Sequence, residues 1–320
     1  MDESLNHFKF ARFSFFLKAI GDIVLPLYKG STLRGAFGHV FKKVVCINRE
    51  KVCNQCLLKN KCVYSYVFET PPPPDSSKMR KYPYVPHPFV ITPPLEKKQD
   101  YKREDPIFFQ LVLIGKCIDF LPYFIYTFDE LGKMGIGKGR GEYQLQEVRL
   151  LHPGQNEGII YSDRDKILHT HFKAIQIDNL QPIAPSPSTL YLNFLTPTRL
   201  KYDERLSPFL EFHILFRNLL RRISLLSYFH CGEELDVDFK ALIDRAKKIK
   251  LIRSDLRWSD WERYSNRQST KMKMGGLVGE ILFEGDFKPF MPYLLLGEYI
   301  HVGKGTSFGL GKYKILNLGS

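Results

Sequence analysis

The chain has 320 residues, of which 44% are hydrophobic and 25% charged, enough for two domains whose cores need no covalent staples. Its 47 Lys and Arg outnumber 34 Asp and Glu for a net charge of +13, which excludes neither polyanion nor acidic partners but makes a polyanion the natural one. Six cysteines are too few for a disulfide scaffold, and the composition is not that of a disordered chain. The opening MDESLNHF lacks the basic-then-apolar pattern of an export signal. The most apolar stretch, 108–128, is interrupted by Gln110, Lys116, Asp119 and Pro122, so no membrane span is expected.

In chain order, residues 8–18 read as a strand. Residues 33–45 have helical periodicity, with Leu33, Ala36, Phe37, Val40, Phe41, Val44 and Val45 on one face. The cluster Cys46-x6-Cys53-x2-Cys56-x5-Cys62 follows. Thiolates this close suit a closed tetrahedral site, so Cys46, Cys53, Cys56 and Cys62 are expected to hold structural zinc, with no open position for catalysis. Cys117 and Cys231 sit in apolar surroundings and read as packing residues. Half of the twenty prolines fall in 71–106, an extended surface excursion inside the first domain. Strands at 89–92 and 107–113, a helix at 121–131 and a strand from Tyr143 complete a β-α-β-β-α-β order. Pro182, Pro185 and Pro187 mark a boundary between domains 1–180 and 181–320. The second domain repeats the order: a strand at 190–195, a long helix at 206–229, strands near 257–264 and 277–283, a short helix at 292–296 and a strand at 312–316. The expected fold is therefore α+β, two tandem ferredoxin-like (RRM-like) domains with a four-cysteine, zinc-like insert, 46–62, in the first.

An internal echo supports two related halves. Gly137-Lys138-Gly139-Arg140-Gly141-Glu142-Tyr143 resembles Gly303-Lys304-Gly305 with Gly309-Leu310-Gly311-Lys312-Tyr313, and the tyrosines are 170 residues apart. Neither loop is a P-loop: Gly139 stands where Ser or Thr should follow Lys138, and Tyr313 stands there after Lys312. The C-terminal glycine loop, 303–311, instead offers Lys304, Ser307 and Lys312 to a sugar-phosphate chain, so no nucleotide cofactor is expected.

The charge is concentrated. Residues 42–61 hold six basic residues against one acid, and 240–275 hold eleven against four. In the second window, Arg257-Trp258-Ser259-Asp260-Trp261-Glu262-Arg263-Tyr264-Ser265-Asn266-Arg267-Gln268 sets tryptophans beside arginines, with the aromatics available for packing or base stacking. His39 lies beside the apolar stripe of the first helix, on a face with Gly35, Gly38 and Lys42 and with Lys43 four residues on. Small residues there would let a backbone approach, and the cations would favour phosphate. His301, just before the C-terminal glycine loop, is the second candidate. His87 falls in the proline-rich excursion.

Taken together, Leu33-Arg34-Gly35-Ala36-Phe37-Gly38-His39, the cysteine cluster with Tyr64, Phe68 and Pro71, Arg263-Tyr264-Ser265-x-Arg267-Gln268 with Gly275-Gly276, and His301-Val302-Gly303-Lys304-Gly305-x-x-Phe308-Gly309-Leu310-Gly311 resemble one family. It is the CRISPR-associated endoribonuclease that processes precursor crRNA, the sixth Cas family of the RAMP superfamily. The resemblance implies a cytoplasmic prokaryotic protein of antiviral defence. It would bind CRISPR repeat RNA and cut it without a metal, by 2′-hydroxyl attack, leaving a 2′,3′-cyclic phosphate and a 5′-hydroxyl. It also implies that His39 or His301 does acid or base work, that Lys42 or Lys43 stabilises charge and that Tyr28 positions the ribose. Arg34, Arg263, Arg267, Gln268, Lys304, Ser307 and Lys312 make up the expected RNA-binding set. Other Cas effector subunits are possible partners under the same resemblance. The alternative is a non-catalytic RNA-binding RAMP subunit of a CRISPR effector complex; a zinc-bearing DNA-binding protein is a weaker third reading.

Overall fold

The computed structural model describes residues 3–48, 52–154, 158–180, 188–203, 205–207, 209–265 and 270–316. The chain divides into two compact units, one of residues 8–176 with 225–233, the other of residues 1–7, 177–224 and 234–320. The proline-rich boundary 181–187 lies outside the described residues.

In the first unit the order is β1 (Phe10–Ala19), α1 (Gly30–Val45), β2 (Phe89–Thr92), β3 (Pro106–Ile114), α2 (Leu121–Met134), β4 (Tyr143–Leu150) and β5 (Gly158–Ser162). The strands form one antiparallel sheet in the spatial order β2-β3-β1-β4-β5. Strand alternation turns Ala11, Phe13, Phe15, Leu17 and Ala19 of β1 into a core shared with α1 and α2. On α1, Leu33, Phe37, Val40 and Phe41 recur at helical spacing and are buried, as the periodicity predicts. Lys42 and Lys43 in its last turn oppose the negative end of the helix dipole. The chain leaves the helix at Cys46, which is extended.

Phe37 is the hub of that core. Its ring lies 5.0 Å from Phe41, 4.9 Å from Phe124 and 4.8 Å from Phe128, all near-parallel stacks. Phe37→Ala is expected to cost about 3–5 kcal/mol, because so many fixed rings cannot collapse into the void. Urea denaturation of the full chain would measure it, and a loss below about 1 kcal/mol would contradict this packing.

The second unit runs β6 (Thr189–Thr198), α3 (Phe212–Leu226), α4 (Phe239–Ala246), β7 (Lys250–Ser254), β8 (Arg257–Ser259), β9 (Gly276–Glu284), α5 (Met291–Ile300) and β10 (Tyr313–Leu316). Its main sheet is antiparallel in the order β7-β9-β6-β10, with β8 also pairing with β9. Glu262–Ser265 and Thr270–Lys273 make a separate hairpin. The strand expected over 257–264 is thus two strands, broken at Asp260 and Trp261. The helix expected from 206 starts at Phe212, since Arg205 and Leu206 pair with Tyr202 and Lys201. Helix α4 escaped the sequence reading because it is only 8 residues long, although Asp238 caps it by accepting the Ala241 amide at 2.8 Å.

The echo between the halves is a packing device. Tyr143 donates to the carbonyl of Phe128 on α2 at 2.7 Å, and Tyr313 donates to that of Leu294 on α5 at 2.6 Å. Each tyrosine also crosses a helix glycine. A Cβ on Gly132 would lie 3.0 Å from the Tyr143 ring, and one on Gly297 would lie 2.0 Å from the Tyr313 hydroxyl. In both units a strand after a glycine loop is thereby locked onto the helix that leads into that loop.

Candidate active site

His39 stands exposed on α1, one turn before exposed Lys43. A third group joins them from the loop after α2. Partial burial lowers the pKa of His39 from its usual 6.5, and the charges of Lys43 and Arg140 lower it further. Near neutral pH its imidazole is therefore mostly uncharged and able to accept a proton. His39 makes no side-chain hydrogen bond among the described residues, so both ring nitrogens are available.

Arg140 reaches this place because its loop is tied down. Gly135, Gly137 and Gly139 have φ of 75°, 74° and 81°, and Arg140 itself sits at 54°. Ile136 bridges Gly141, and the Lys138 amide donates to the Val24 carbonyl at 2.9 Å. A Cβ on Gly137 would stand 2.1 Å from that carbonyl, and one on Gly141 would stand 2.3 Å from the Asp22 carbonyl. Glycine is what lets the loop lie against the segment leading into α1.

Helix geometry separates the two candidate lysines. Lys43 is the neighbour of His39, whereas Lys42 lies 5.6 Å from the centre of the Tyr64 ring and acts on Cys53. Tyr28 precedes α1, and burial raises its phenol pKa well above the usual value, so it stays protonated. Gly38 is not an open approach for a ligand: a Cβ there would meet Phe68 at 2.4 Å, while one on Gly35 would meet nothing. Arg34 turns inward from this face. Its guanidinium lies 4.4 Å from the centre of the Phe68 ring and donates to His87 Nε2 at 3.4 Å. His87 is accordingly half-buried and anchored, with its Nδ1 3.3 Å from the Thr70 hydroxyl.

The cysteine segment lies within reach of the Lys42 charge. Cys53 feels the charges of Cys46 and Cys62, and Cys46 Sγ donates to the Asn48 carbonyl at 3.5 Å. All four cysteines are half-buried thiols, and among the described residues no group of three or more His, Cys, Asp and Glu is arranged to hold a metal.

In the second unit, His301 is 1% exposed and donates from Nδ1 to the Leu310 carbonyl at 3.2 Å. Burial drives its pKa well down, and it braces the glycine loop from inside. That loop is stitched to the end of β6: Lys304 N donates to Arg199 O at 3.0 Å, Gly311 N to Pro197 O at 3.1 Å, and Thr196 Oγ1 to Gly309 O at 2.8 Å. Ser307 is buried, and Lys312 uses its backbone amide on Thr196. Lys304 is exposed, with its pKa lowered by partial burial and by Lys201 and Arg199, a cationic group on one side of the loop. Arg263 is in the hairpin strand, but its side chain, Arg267 and Gln268 lie outside the described residues.

Sequence reading missed Arg140, Arg199 and Lys201, whose positions depend on loop closure and carry no spacing signal. It also passed over His230. That ring donates from Nε2 to the Pro86 carbonyl at 2.8 Å and accepts from the Tyr66 hydroxyl, 3.0 Å from Nδ1, a structural role inside the first unit.

Residues 8–173 match the family model AF_1859_N, an N-terminal domain, and residues 192–313 match the model of the CRISPR-associated endoribonuclease Cas6. An uncharacterized protein of Archaeoglobus fulgidus is 26% identical over 298 residues, 91% of this chain and 92% of that one. Among solved structures, a Cas6 product complex matches with a TM-score of 0.58 at 16% identity, over 96% of this chain and 100% of the other. Thermus thermophilus Cas6 matches with a TM-score of 0.53 at 17% identity, over 97% and 99% of the two chains. The antiparallel, mixed α+β architecture is that of these structures, and no described helix is long and apolar enough to cross a membrane. Residues 8–173, just over half of the chain, place it in the AF_1859_N family, and its second half is similar to the CRISPR-associated endoribonuclease Cas6, whose fold the whole chain shares.

Proposed function

We propose that this protein cuts CRISPR precursor RNA once per repeat, at a site built on the exposed face of α1, by metal-independent transesterification. The observation that carries the reading is the grouping of His39 with Lys43 and Arg140, an uncharged imidazole flanked by two cations. In this chemistry His39 takes the proton of the ribose 2′-hydroxyl. The O2′–P bond forms as the P–O5′ bond breaks, O5′ takes a proton from solvent while His39 later returns its own there, and no water is consumed. The added negative charge on the phosphorane falls beside Lys43, which stabilises it electrostatically. The products would be a 2′,3′-cyclic phosphate and a 5′-hydroxyl.

We also read both units as ferredoxin-like, since each places its first strand at the centre of the sheet between its third and fourth, counting along the β-α-β-β-α-β path. The RNA is proposed to be held by the basic window of the second unit and by Lys304, Lys201 and Arg199 around its glycine loop. Incubation of the full chain with end-labelled repeat RNA tests the reading: one cut per repeat supports it. Tight, salt-sensitive binding of the repeat without cleavage would replace it with the non-catalytic RNA-binding role.

A further inference from the structure

In the acid-base chemistry Arg140 acts only through its charge on His39 and Lys138 has no part, yet the path of their loop, Gly137–Gly141, is tightly fixed. Three residues at positive φ, a bridge to the segment before α1 and two glycines seated on carbonyls hold it in place. Lys138 and Arg140 are its only side chains beyond glycine, and both are exposed. Neither makes a salt bridge with an acid among the described residues. Two unpaired cations on a rigid loop repel one another and stabilise nothing locally, so the arrangement asks for an anion. Their positions differ. Lys138 lines a cleft of about 420 Å³ together with Val24, Leu25, Pro26, Thr32 and Gly137, at the start of α1. Arg140 is close enough to His39 for its charge to act on that ring.

We propose that this loop is a clamp for consecutive RNA phosphates, in which Arg140 contacts a non-bridging oxygen of the scissile phosphate and Lys138 holds a neighbouring phosphodiester at the start of α1. The inference rests on the cleavage reading above and adds to it a second cation at the reacting phosphorus, from an element other than the catalytic helix. A guanidinium suits that place because its fork can bind two phosphate oxygens at once, which a lysine cannot. Its backbone is fixed before RNA arrives, so little ordering is needed when the phosphate takes on charge.

The test uses Arg140→Gln, Arg140→Lys and Lys138→Gln in the full chain, with single-turnover cleavage at saturating repeat RNA and separate measurement of binding. Arg140→Gln should slow cleavage by about 10²-fold, the scale for one lost donor at a developing oxyanion, while Kd changes less than about threefold. Arg140→Lys should recover part of the rate. Lys138→Gln should weaken binding and flatten its salt dependence. Independently of RNA, removing the Arg140 cation should move the His39 titration, followed by NMR, to higher pH; Lys43 is the other charge facing that ring. Cleavage by Arg140→Gln at the parental rate, or an unmoved His39 titration, overturns the clamp. The cleavage reading fails separately: it falls if His39→Ala cuts at full rate, and it survives if that variant is inactive while Arg140→Gln is not impaired.

Discussion

His39→Ala should slow cleavage of saturating repeat RNA by about 10²–10⁴-fold and leave RNA affinity within a few-fold of the parent. The range is that of a positioned general base, and the affinity is spared because His39 is uncharged near neutral pH and contributes no phosphate attraction. Since its folded pKa lies below 6.5, the rate should rise with pH along an acid limb centred below that of a free imidazole. The sign follows from its role: below its pKa the ring is already protonated and cannot take the 2′-proton. Lys43→Ala should displace that limb to higher pH by removing one of the two cations that hold the pKa down. Single-turnover rates across pH 5–8, with circular dichroism to establish folding, provide the measurement. An unchanged rate for His39→Ala would remove the site from α1 altogether.

A second large effect is expected from the basic window of the other unit. Lys248, Lys250 and Arg257 are exposed and form no salt bridge among the described residues, whereas Lys247 and Arg253 are paired with Asp244 and Asp255 at 3.0 and 2.6 Å. Reversing the three unpaired charges to Glu should weaken repeat-RNA binding by about 10- to 10³-fold near physiological salt. The slope of log K against log salt should fall by about two, from three lost phosphate contacts on single-stranded RNA. Cleavage at saturating RNA should stay close to the parental rate, because His39, Lys43 and Arg140 belong to the first unit. Filter binding over a salt series decides it. Undiminished affinity would move the RNA-holding surface elsewhere.

Much of the fold could be read from apolar spacing. Strand β2 coincides with its expected limits, and α1 buries the predicted Leu33, Phe37, Val40 and Phe41, because both rest on local periodicity that tertiary contacts reinforce. What spacing could not supply was the destination of polar side chains. His301 follows a helix and precedes glycines, which suggests an exposed loop, yet the loop folds back onto the carbonyls of Pro197 and Arg199 and encloses it. Gly38 suggested an open face until Phe68 covered it. Arg34 stacks on the same ring instead of facing solvent. The choice of Lys43 over Lys42 was present in the i,i+4 relation to His39, but Arg140 was not, because its approach depends on where two glycines can sit.

The most direct test is the chemistry of the product ends. Purified protein should be incubated with repeat RNA in excess EDTA and the fragments analysed by mass spectrometry and by phosphatase and kinase treatment. The account predicts one cut per repeat at an undiminished rate, a 2′,3′-cyclic phosphate on the upstream fragment and a 5′-hydroxyl on the downstream one. Loss of cleavage in EDTA, or a 3′-hydroxyl with a 5′-phosphate, would contradict it.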